Sequence, residues 1–270
     1  MKRNLYSFLI SFLNILLVLF LFSCSSNPNN PGNGLSGNLS GKIILENGFL
    51  QEESDHSGAI VEAVGTSYRT ESTVDGSWRL ENLPAGTYVI KVSKDGYTHR
   101  KVFGYQFVGG GEAYFYKTYL TRLPSHSAKN LTAVIEDTVH QDNHHPDLPD
   151  SIRQVAPYVR FAMDILNAPM TGDDIKLQMY VSRNPNVSYR EGEYDTRRIF
   201  YLPGTFTSFS FPMNDYLNRG DFTSGERIYV VIYPAANGTH GGEYFDNELG
   251  HEVDSDVVDN PSNVVSIVIP

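Results

Sequence analysis

The chain has 270 residues, of which 40% are hydrophobic and 12% aromatic, and its formal net charge is −10. This length allows one large domain or two ordinary ones, and the hydrophobic content is sufficient for packed cores. The negative charge makes nucleic acid a poor partner, and the single cysteine excludes a disulfide framework within the chain.

The first residues have the layout of an export signal. Lys2 and Arg3 precede an almost uninterrupted apolar run from Leu5 to Phe22, and a charged start followed by an apolar stretch is typical of secretory signals. The run is also long enough to compete as a membrane-spanning helix, which needs about 20 residues. The position of Cys24, directly after this run, favours the first interpretation over an uncut signal anchor.

The residues Leu21-Phe22-Ser23-Cys24 resemble the lipobox of bacterial lipoproteins. The resemblance implies that residues 1–23 are a lipoprotein signal peptide and that Cys24 carries lipid in the mature protein. Stable membrane anchoring takes two or more acyl chains, which a triacylated cysteine would supply. The residue after Cys24 is Ser25 and not an aspartate. By the same resemblance, this favours the outer membrane. The leaflet, periplasmic or surface, stays open.

Residues 25–37 consist of Ser, Asn, Pro and Gly with one leucine and no charge. Such a composition cannot bury enough apolar surface to offset the entropy lost on ordering. We therefore expect residues 24–37 to form a lipid-anchored flexible tether that holds the folded part away from the membrane.

Residues 38–124 show the period-two alternation of half-buried strands, separated by turn residues. Trp78 and Leu80 fall on one face of such a run with polar residues between them, so we expect Trp78 in the core. The turn signals are Asp75-Gly76, Pro84-Ala85-Gly86 and Asp95-Gly96. Because Asp-Gly between two alternating runs is a strong hairpin signal, the first of these predicts a hairpin.

The order and spacing of these residues resemble the carboxypeptidase regulatory-like domain over most of residues 38–124. The matching positions are Gly58, Ala59, Val61, Ala63, Gly65 and Thr66, then Asp75, Gly76, Trp78, Leu80, Asn82, Leu83, Pro84, Gly86, Tyr88, Ile90, Val92 and Ser93, then Gly96 and Tyr97. The resemblance implies a transthyretin-like β-sandwich that serves as a spacer or accessory module. The chain departs from the family in having Trp78 where phenylalanine is more usual. It also has an acidic insertion, ENGFLQEESDHS, at residues 46–57, where a short turn is usual.

Residues 125–270 are again predicted to be all-β, without a recognisable family pattern. The candidate strands are Leu131–Glu136, Tyr158–Ile165, Ile175–Val181, Arg198–Leu202, Phe206–Phe211, Arg227–Tyr233 and Val264–Ile269. Seven strands in a segment of this size fit an immunoglobulin-like β-sandwich. Long loops are predicted at 137–157, 182–197 and 234–263, and loops of this length are often functional.

The acidic residues of the second domain are densest between Glu243 and Asp259, a stretch without Lys or Arg. Carboxylates at close spacing can ligate calcium, the one cofactor that the sequence suggests. The candidate calcium ligands are Asp246, Glu248, Glu252, Asp254, Asp256 and Asp259. A solvated acidic loop is the alternative interpretation of the same residues.

A second, weaker metal candidate is the stretch HQDNHHPD at residues 140–147. His140, Asp142, His144 and His145 offer imidazole and carboxylate ligands of the kind that zinc prefers. Adjacent histidines cannot easily aim at one ion, however, and the spacing matches no regular zinc pattern. A solvated loop explains the same stretch without a metal.

Together these features predict a non-catalytic lipoprotein of the bacterial cell envelope that presents two β-sandwich domains for binding or assembly. Its partners would be the membrane, through Cys24, and an envelope protein or a glycan. Tyr189 and Tyr194 could stack on a sugar, or they could cover the core of their own domain. The alternatives are a calcium-dependent adhesin and, with less support, a metal-dependent hydrolase that uses the histidine and aspartate loops.

Overall fold

The computed structural model describes residues 34–136, 158–168, 174–203, 205, 208–212, 221–237 and 243–269. These residues form seventeen strands and no helix, which confirms the all-β expectation. The strands are β1 (Ser36–Glu46), β2 (Ile60–Ala63), β3 (Arg69–Glu71), β4 (Ser77–Pro84), β5 (Gly86–Ser93), β6 (Arg100–Phe107), β7 (Glu112–Tyr114), β8 (Thr118–Thr121), β9 (Ser127–Glu136), β10 (Tyr158–Leu166), β11 (Asp174–Ser182), β12 (Thr196–Pro203), β13 (Ser208–Pro212), β14 (Arg227–Ala235), β15 (Glu243–Asp246), β16 (His251–Asp254) and β17 (Val265–Val268). None of these residues belongs to a helix long and apolar enough to cross a membrane.

Strands β1 to β8 form the first sandwich. One sheet has the order β4-β1-β7, with β8 also paired to β1, and the other has the order β3-β2-β5-β6. The long strand β1 organises the first sheet, because β7 pairs with its first half and β8 with its second half, both in parallel. The side chains between the two sheets form one hydrophobic core.

The predicted burial of Trp78 is confirmed. Trp78 is 4% exposed and Leu80 is 2% exposed, whereas Arg79 between them is exposed. Asn82 then takes a positive φ of 53° at a bulge, where β4 has one residue more than β1. The bulge puts Leu83 in the core instead of residue 82, one residue later than strict alternation predicts.

The turn at Asp75-Gly76 forms, but the predicted hairpin is wrong. Its flanking strands, β3 and β4, lie in different sheets, so the turn carries the chain across the sandwich. The Asp75 carboxylate accepts hydrogen bonds from the hydroxyls of Thr73 and Ser77, both at 2.6 Å. Gly76 has a φ of +83°, which favours glycine. The dipeptide therefore indicates a tight turn without specifying which sheet receives the next strand.

The second sandwich has one sheet in the order β13-β10-β9 and another in the order β12-β11-β14-β17. These seven strands correspond to the seven predicted from alternation, and they enclose a common core that includes Leu177 and Met179. The prediction of two successive β-sandwiches is thus confirmed.

The sheet that contains β11 and β14 is buried on both faces. Tyr180 and Tyr233 point away from the sandwich core and join a separate hydrophobic cluster with Val257. The covering segment includes a hairpin of β15 and β16, within the range 234–263 that was predicted to be a loop. That prediction missed the hairpin, whose strands are each only four residues long.

The two sandwiches contact each other where β6 of the first meets the β15–β16 hairpin of the second. The Ser255 hydroxyl donates to the carbonyl of His99 at 2.8 Å and accepts from its N–H at 3.3 Å. The Tyr244 hydroxyl lies 3.2 Å from Nε2 of His99, and burial lowers the pKa of that histidine. Lys101 adds an ion pair with Asp246 at 2.9 Å.

Candidate ligand site at the domain junction

The residues predicted to carry function divide into two groups. Cys24 and the weak metal candidates His140, Asp142, His144 and His145 lie outside the described residues. The six acidic calcium candidates lie within them, between β15 and the segment that follows β16.

Three of these six carboxylates lie at or near the surface and face different neighbours. Glu248 is 60% exposed, and its carboxylate lies 3.3 Å from Lys101. Asp259 is 59% exposed and lies 3.4 Å from Arg190. Glu252 is exposed too. These three groups therefore behave as a solvated acidic surface.

The other three carboxylates are buried. Asp246 is 1% exposed, pairs with Lys101, and accepts the backbone N–H of Glu248 at 2.9 Å. Asp256 is 3% exposed and forms an ion pair with Lys176, whose side chain projects from the outer face of β11. These ion pairs fasten the segment 246–256 to both sandwiches.

Asp254 lies beside Asp256 in this network. Its Oδ2 is 3.1 Å from the Arg197 guanidinium and 3.4 Å from the Tyr180 hydroxyl. Its Oδ1 is buried without a hydrogen-bond partner among the described residues. Burial and the adjacent Asp256 carboxylate raise the pKa of Asp254 to about 7. A proton on Asp254 would turn an unpaired acceptor into a donor toward Asp256.

Five of the six acids, all except Glu252, thus have lysine or arginine partners from distant parts of the chain. Over the described ranges, no group of three or more His, Cys, Asp or Glu side chains is placed to hold a metal ion. Calcium binding by Asp246, Glu248, Glu252, Asp254, Asp256 and Asp259 stays a prediction, without a preformed arrangement that would support it.

Tyr189 and Tyr194 pack on their own domain. The ring of Tyr189 lies 5.1 Å from that of Tyr233, and the ring of Tyr194 lies 5.0 Å from that of Tyr180, both edge to face. Of the two interpretations of these tyrosines, the structure supports the covering of their own core.

The acidic insertion at residues 46–57 is firmly attached to the first domain and to the segment that leaves it. Glu53 accepts two hydrogen bonds from the Nη2 of Arg122, at 2.9 and 3.0 Å, and one from the Tyr97 hydroxyl at 2.9 Å. Burial, followed by this hydrogen bond to Glu53, raises the pKa of Tyr97 to about 12. His56 accepts the backbone N–H of Leu45 at 3.0 Å.

These contacts hold the tip of the insertion against a cavity of about 160 Å³ at the junction of the two domains. Gly48 and Phe49 of the insertion form one wall, and residues 122–126 of the connecting segment form another. The second domain contributes the start of β11, at Asp174 and Ile175, and the end of β14 with the residues that follow, 235–237.

Two polar atoms of this lining are buried without a partner among the described residues: Nε2 of His126 and Oδ1 of Asn237. Burial lowers the pKa of His126 and so favours the neutral imidazole. In the tautomer protonated on Nδ1, a neutral imidazole has a lone pair on Nε2. Asn237 donates through Nδ2 to the carbonyl of Asp174 at 2.7 Å, which leaves Oδ1 as an acceptor. Oδ1 of Asn237 is therefore an acceptor, and Nε2 of His126 is one in the Nδ1-protonated tautomer.

Sequence reasoning singled out neither His126 nor Asn237, because neither stands in a motif. The one sequence feature that could have pointed to this cavity is the acidic insertion, which supplies Phe49 to its wall. Binding residues lie disproportionately on loops that a rigid scaffold positions.

The chain matches no family model and no curated protein. Among solved structures, a protein of Bacteroides uniformis proposed to bind carbohydrate is 14% identical with a TM-score of 0.29, and the match covers 87% of this chain and 100% of that one. A DUF3823 family protein of Parabacteroides merdae is also 14% identical, with a TM-score of 0.27 and the same coverage.

A third match is a type II Cohesin-X-Dockerin complex of Acetivibrio cellulolyticus, with 21% identity and a TM-score of 0.28. The match covers 32% of this chain and 58% of the chain in that structure. Matches with TM-scores this low carry no functional assignment.

Proposed function

We propose that this chain is a lipid-anchored, non-catalytic binding protein of the bacterial cell envelope, with its ligand site at the domain junction. The lipobox-like residues ending at Cys24 support the anchor, and the uncharged tether after it supports presentation away from the membrane. The resemblance of the first domain to an accessory module supports a binding role rather than a catalytic one.

The junction cavity carries the proposal. Both domains and the insertion build it, and His126 and Asn237 each have a buried polar atom there that finds no partner in the described part of the chain. A buried polar group left without a hydrogen bond costs about 1–3 kcal/mol, and such groups in a native fold call for a functional explanation. A ligand that donates to these atoms would remove the cost.

The domain contacts make this cavity a preformed site. Lys101 and Asp246, together with His99 and Ser255, hold the two sandwiches in one relative position. A site whose walls are already in place loses less entropy when it binds a ligand.

The anchor is tested by expressing the full chain in a Gram-negative host and determining the mature amino terminus by mass spectrometry. We expect the wild-type chain to begin at Cys24 with acyl groups attached and to fractionate with membranes. Cys24→Ala should carry no lipid and lose this mature terminus. A wild-type protein with a free thiol at Cys24 would refute the anchor.

The ligand site is tested with the mature lipoprotein in a sugar-free detergent, screened against immobilised glycans and envelope proteins. Ser125→Trp places a large side chain at an exposed position of the cavity wall and should abolish binding. Ser54→Trp is the matched control, because Ser54 is an exposed serine of the insertion outside the cavity lining. Binding that survives Ser125→Trp would place the site elsewhere.

A further inference from the structure

We infer that the junction cavity binds a single hydroxyl-bearing ring of a neutral sugar, which donates hydrogen bonds to Nε2 of His126 and Oδ1 of Asn237. This inference rests on the proposed function and names the ligand class of the same site. Four properties of the cavity lead to it: its hydrogen-bonding polarity, its charge, its size and its apolar wall.

The polarity of the cavity favours a ligand that donates hydrogen bonds. Asn237 donates through Nδ2 to the carbonyl of Asp174, and its buried Oδ1 can only accept. The buried Nε2 of His126 accepts when the neutral ring carries its proton on Nδ1. Hydroxyl groups satisfy such atoms, whereas carboxylate and phosphate oxygens cannot.

The charge of the cavity argues against an anionic ligand. Within the described residues, Arg122 is the one cationic side chain of the lining, and it is held by the bidentate contact with Glu53. Asp174 adds an exposed carboxylate to the wall. An acidic sugar would therefore enter without a free cationic partner, which is costly for a buried charge.

The volume of about 160 Å³ limits the ligand to one ring. Drug-sized ligands occupy pockets of about 300–1,000 Å³, and a water takes a share of about 30 Å³ in the liquid. The cavity therefore has room for about five waters or one pyranose. A longer glycan would place one residue here and leave the others outside.

The apolar part of the lining suits the C–H face of a sugar ring. Phe49 is half-buried, and Ile175 is 1% exposed. An aromatic ring beside hydrogen-bonding groups matches a ligand with one apolar face and a polar rim. Oδ1 of Asn47 accepts the N–H of Phe49 at 2.9 Å, and this bond holds the backbone of the insertion at the cavity wall.

The test titrates the acylated mature chain with neutral hexoses and pentoses by calorimetry and saturation-transfer NMR. We expect at least one neutral monosaccharide to bind with a Kd of about millimolar, as suits a ligand of this size. Its C–H protons should receive saturation from the aromatic ring of Phe49, and Phe49→Ala should weaken binding. Ser125→Trp should abolish it, and Ser54→Trp should leave it unchanged.

Deoxyfluoro derivatives of the bound sugar test the hydrogen-bond direction without altering the protein. Fluorine cannot donate, so replacing either of two specific hydroxyls should weaken binding about tenfold. Equal binding by all fluorinated sugars would overturn the inference, as would binding of only a uronic acid or an aminosugar. If no monosaccharide binds while another ligand is lost in Ser125→Trp, the ligand class is wrong and the proposed function still stands.

Discussion

The ammonium of Lys101 lies 2.9 Å from Oδ2 of Asp246, and this ion pair joins β6 of the first sandwich to β15 of the second. Asp246 is 1% exposed, whereas the Lys101 side chain is 20% exposed. Their interaction raises the pKa of Lys101 and lowers that of Asp246 against the opposing effect of burial. Because a buried carboxylate needs its partner, this pair links the positions of the two domains.

Replacing Lys101 by methionine should loosen the domain contact. The variant leaves Asp246 buried beside an uncharged side chain, and we expect a loss of about 1–3 kcal/mol in the free energy of unfolding. Calorimetry should then show the two domains melting at separate temperatures. Lys91→Met is the matched control, because Lys91 pairs with Glu62 within one sheet at a more exposed position. A single transition identical to that of the wild type would refute the linking role of the pair.

The Asp254 network predicts an unusual dependence of stability on pH. The pKa of Asp254 is raised to about 7 in the folded chain, whereas an unfolded aspartate has a pKa of about 3.9. Between these values the folded state binds more protons than the unfolded state, so the free energy of unfolding falls as pH rises. The stabilising contribution of this group is fully present below about pH 4 and is lost by about pH 7.

Asp254→Asn isolates this effect, because asparagine cannot ionise. Urea unfolding at pH 5 and pH 8 should show a larger loss of stability in the wild type than in Asp254→Asn. Asp259→Asn serves as the control, since Asp259 is 59% exposed. Parallel pH profiles for the wild type and Asp254→Asn would show that Asp254 does not take up a proton in the folded state.

Calcium should have little effect on stability. Lys101, Lys176 and Arg197 neutralise the buried carboxylates of Asp246, Asp256 and Asp254, so an added cation would have to displace built-in partners. We expect the same melting temperature in millimolar calcium and in chelator. A calcium-dependent increase that Asp246→Asn removes would instead support the adhesin alternative, because a ligand that binds only the folded state raises stability.

Strand positions could be predicted from the sequence because burial on one face leaves a period-two pattern. The run from Ile175 to Val181 shows this, and β11 covers residues 174–182. The same pattern could not reveal that Lys176 is 5% exposed, since its partner Asp256 arrives from a segment 80 residues later. The local sequence around a buried charge in this fold therefore does not reveal its partner. For this reason, the acidic residues from 243 to 259 suggest calcium ligands in the sequence, where their lysine and arginine partners cannot be identified.

The junction cavity lies beyond sequence reasoning for a related reason. Its walls come from separate parts of the chain, including Phe49, His126 and Asn237, which share no motif. Each becomes notable only when its neighbours and unpaired atoms are known. The insertion at residues 46–57 can be identified in the sequence as an acidic stretch where a short turn is expected. Its position over the connecting segment depends on the contact between Glu53 and Arg122, which the sequence does not predict.

The packing of Trp78 over Gly41 gives a last, sharply defined prediction. The two residues are partners in the β1–β4 pair, and a Cβ on Gly41 would lie 2.5 Å from Cζ2 of the indole. Gly41→Ala should therefore force the indole to move and destabilise the domain by about 1–3 kcal/mol, the usual cost of overpacking. Gly111→Ala is the control, because a Cβ there would have no heavy atom of another described residue within 4 Å.

Trp78→Phe should relieve the clash, because the phenylalanine ring is smaller than the indole. In the Trp78→Phe background, Gly41→Ala should cost less than it does in the wild type, and urea unfolding of the four proteins would measure this coupling. If the indole contacts Gly41 directly, the effects of the two substitutions on the free energy of unfolding should not be additive. If their effects simply add, the indole does not rest on Gly41, and the missing side chain at that position would need a different explanation.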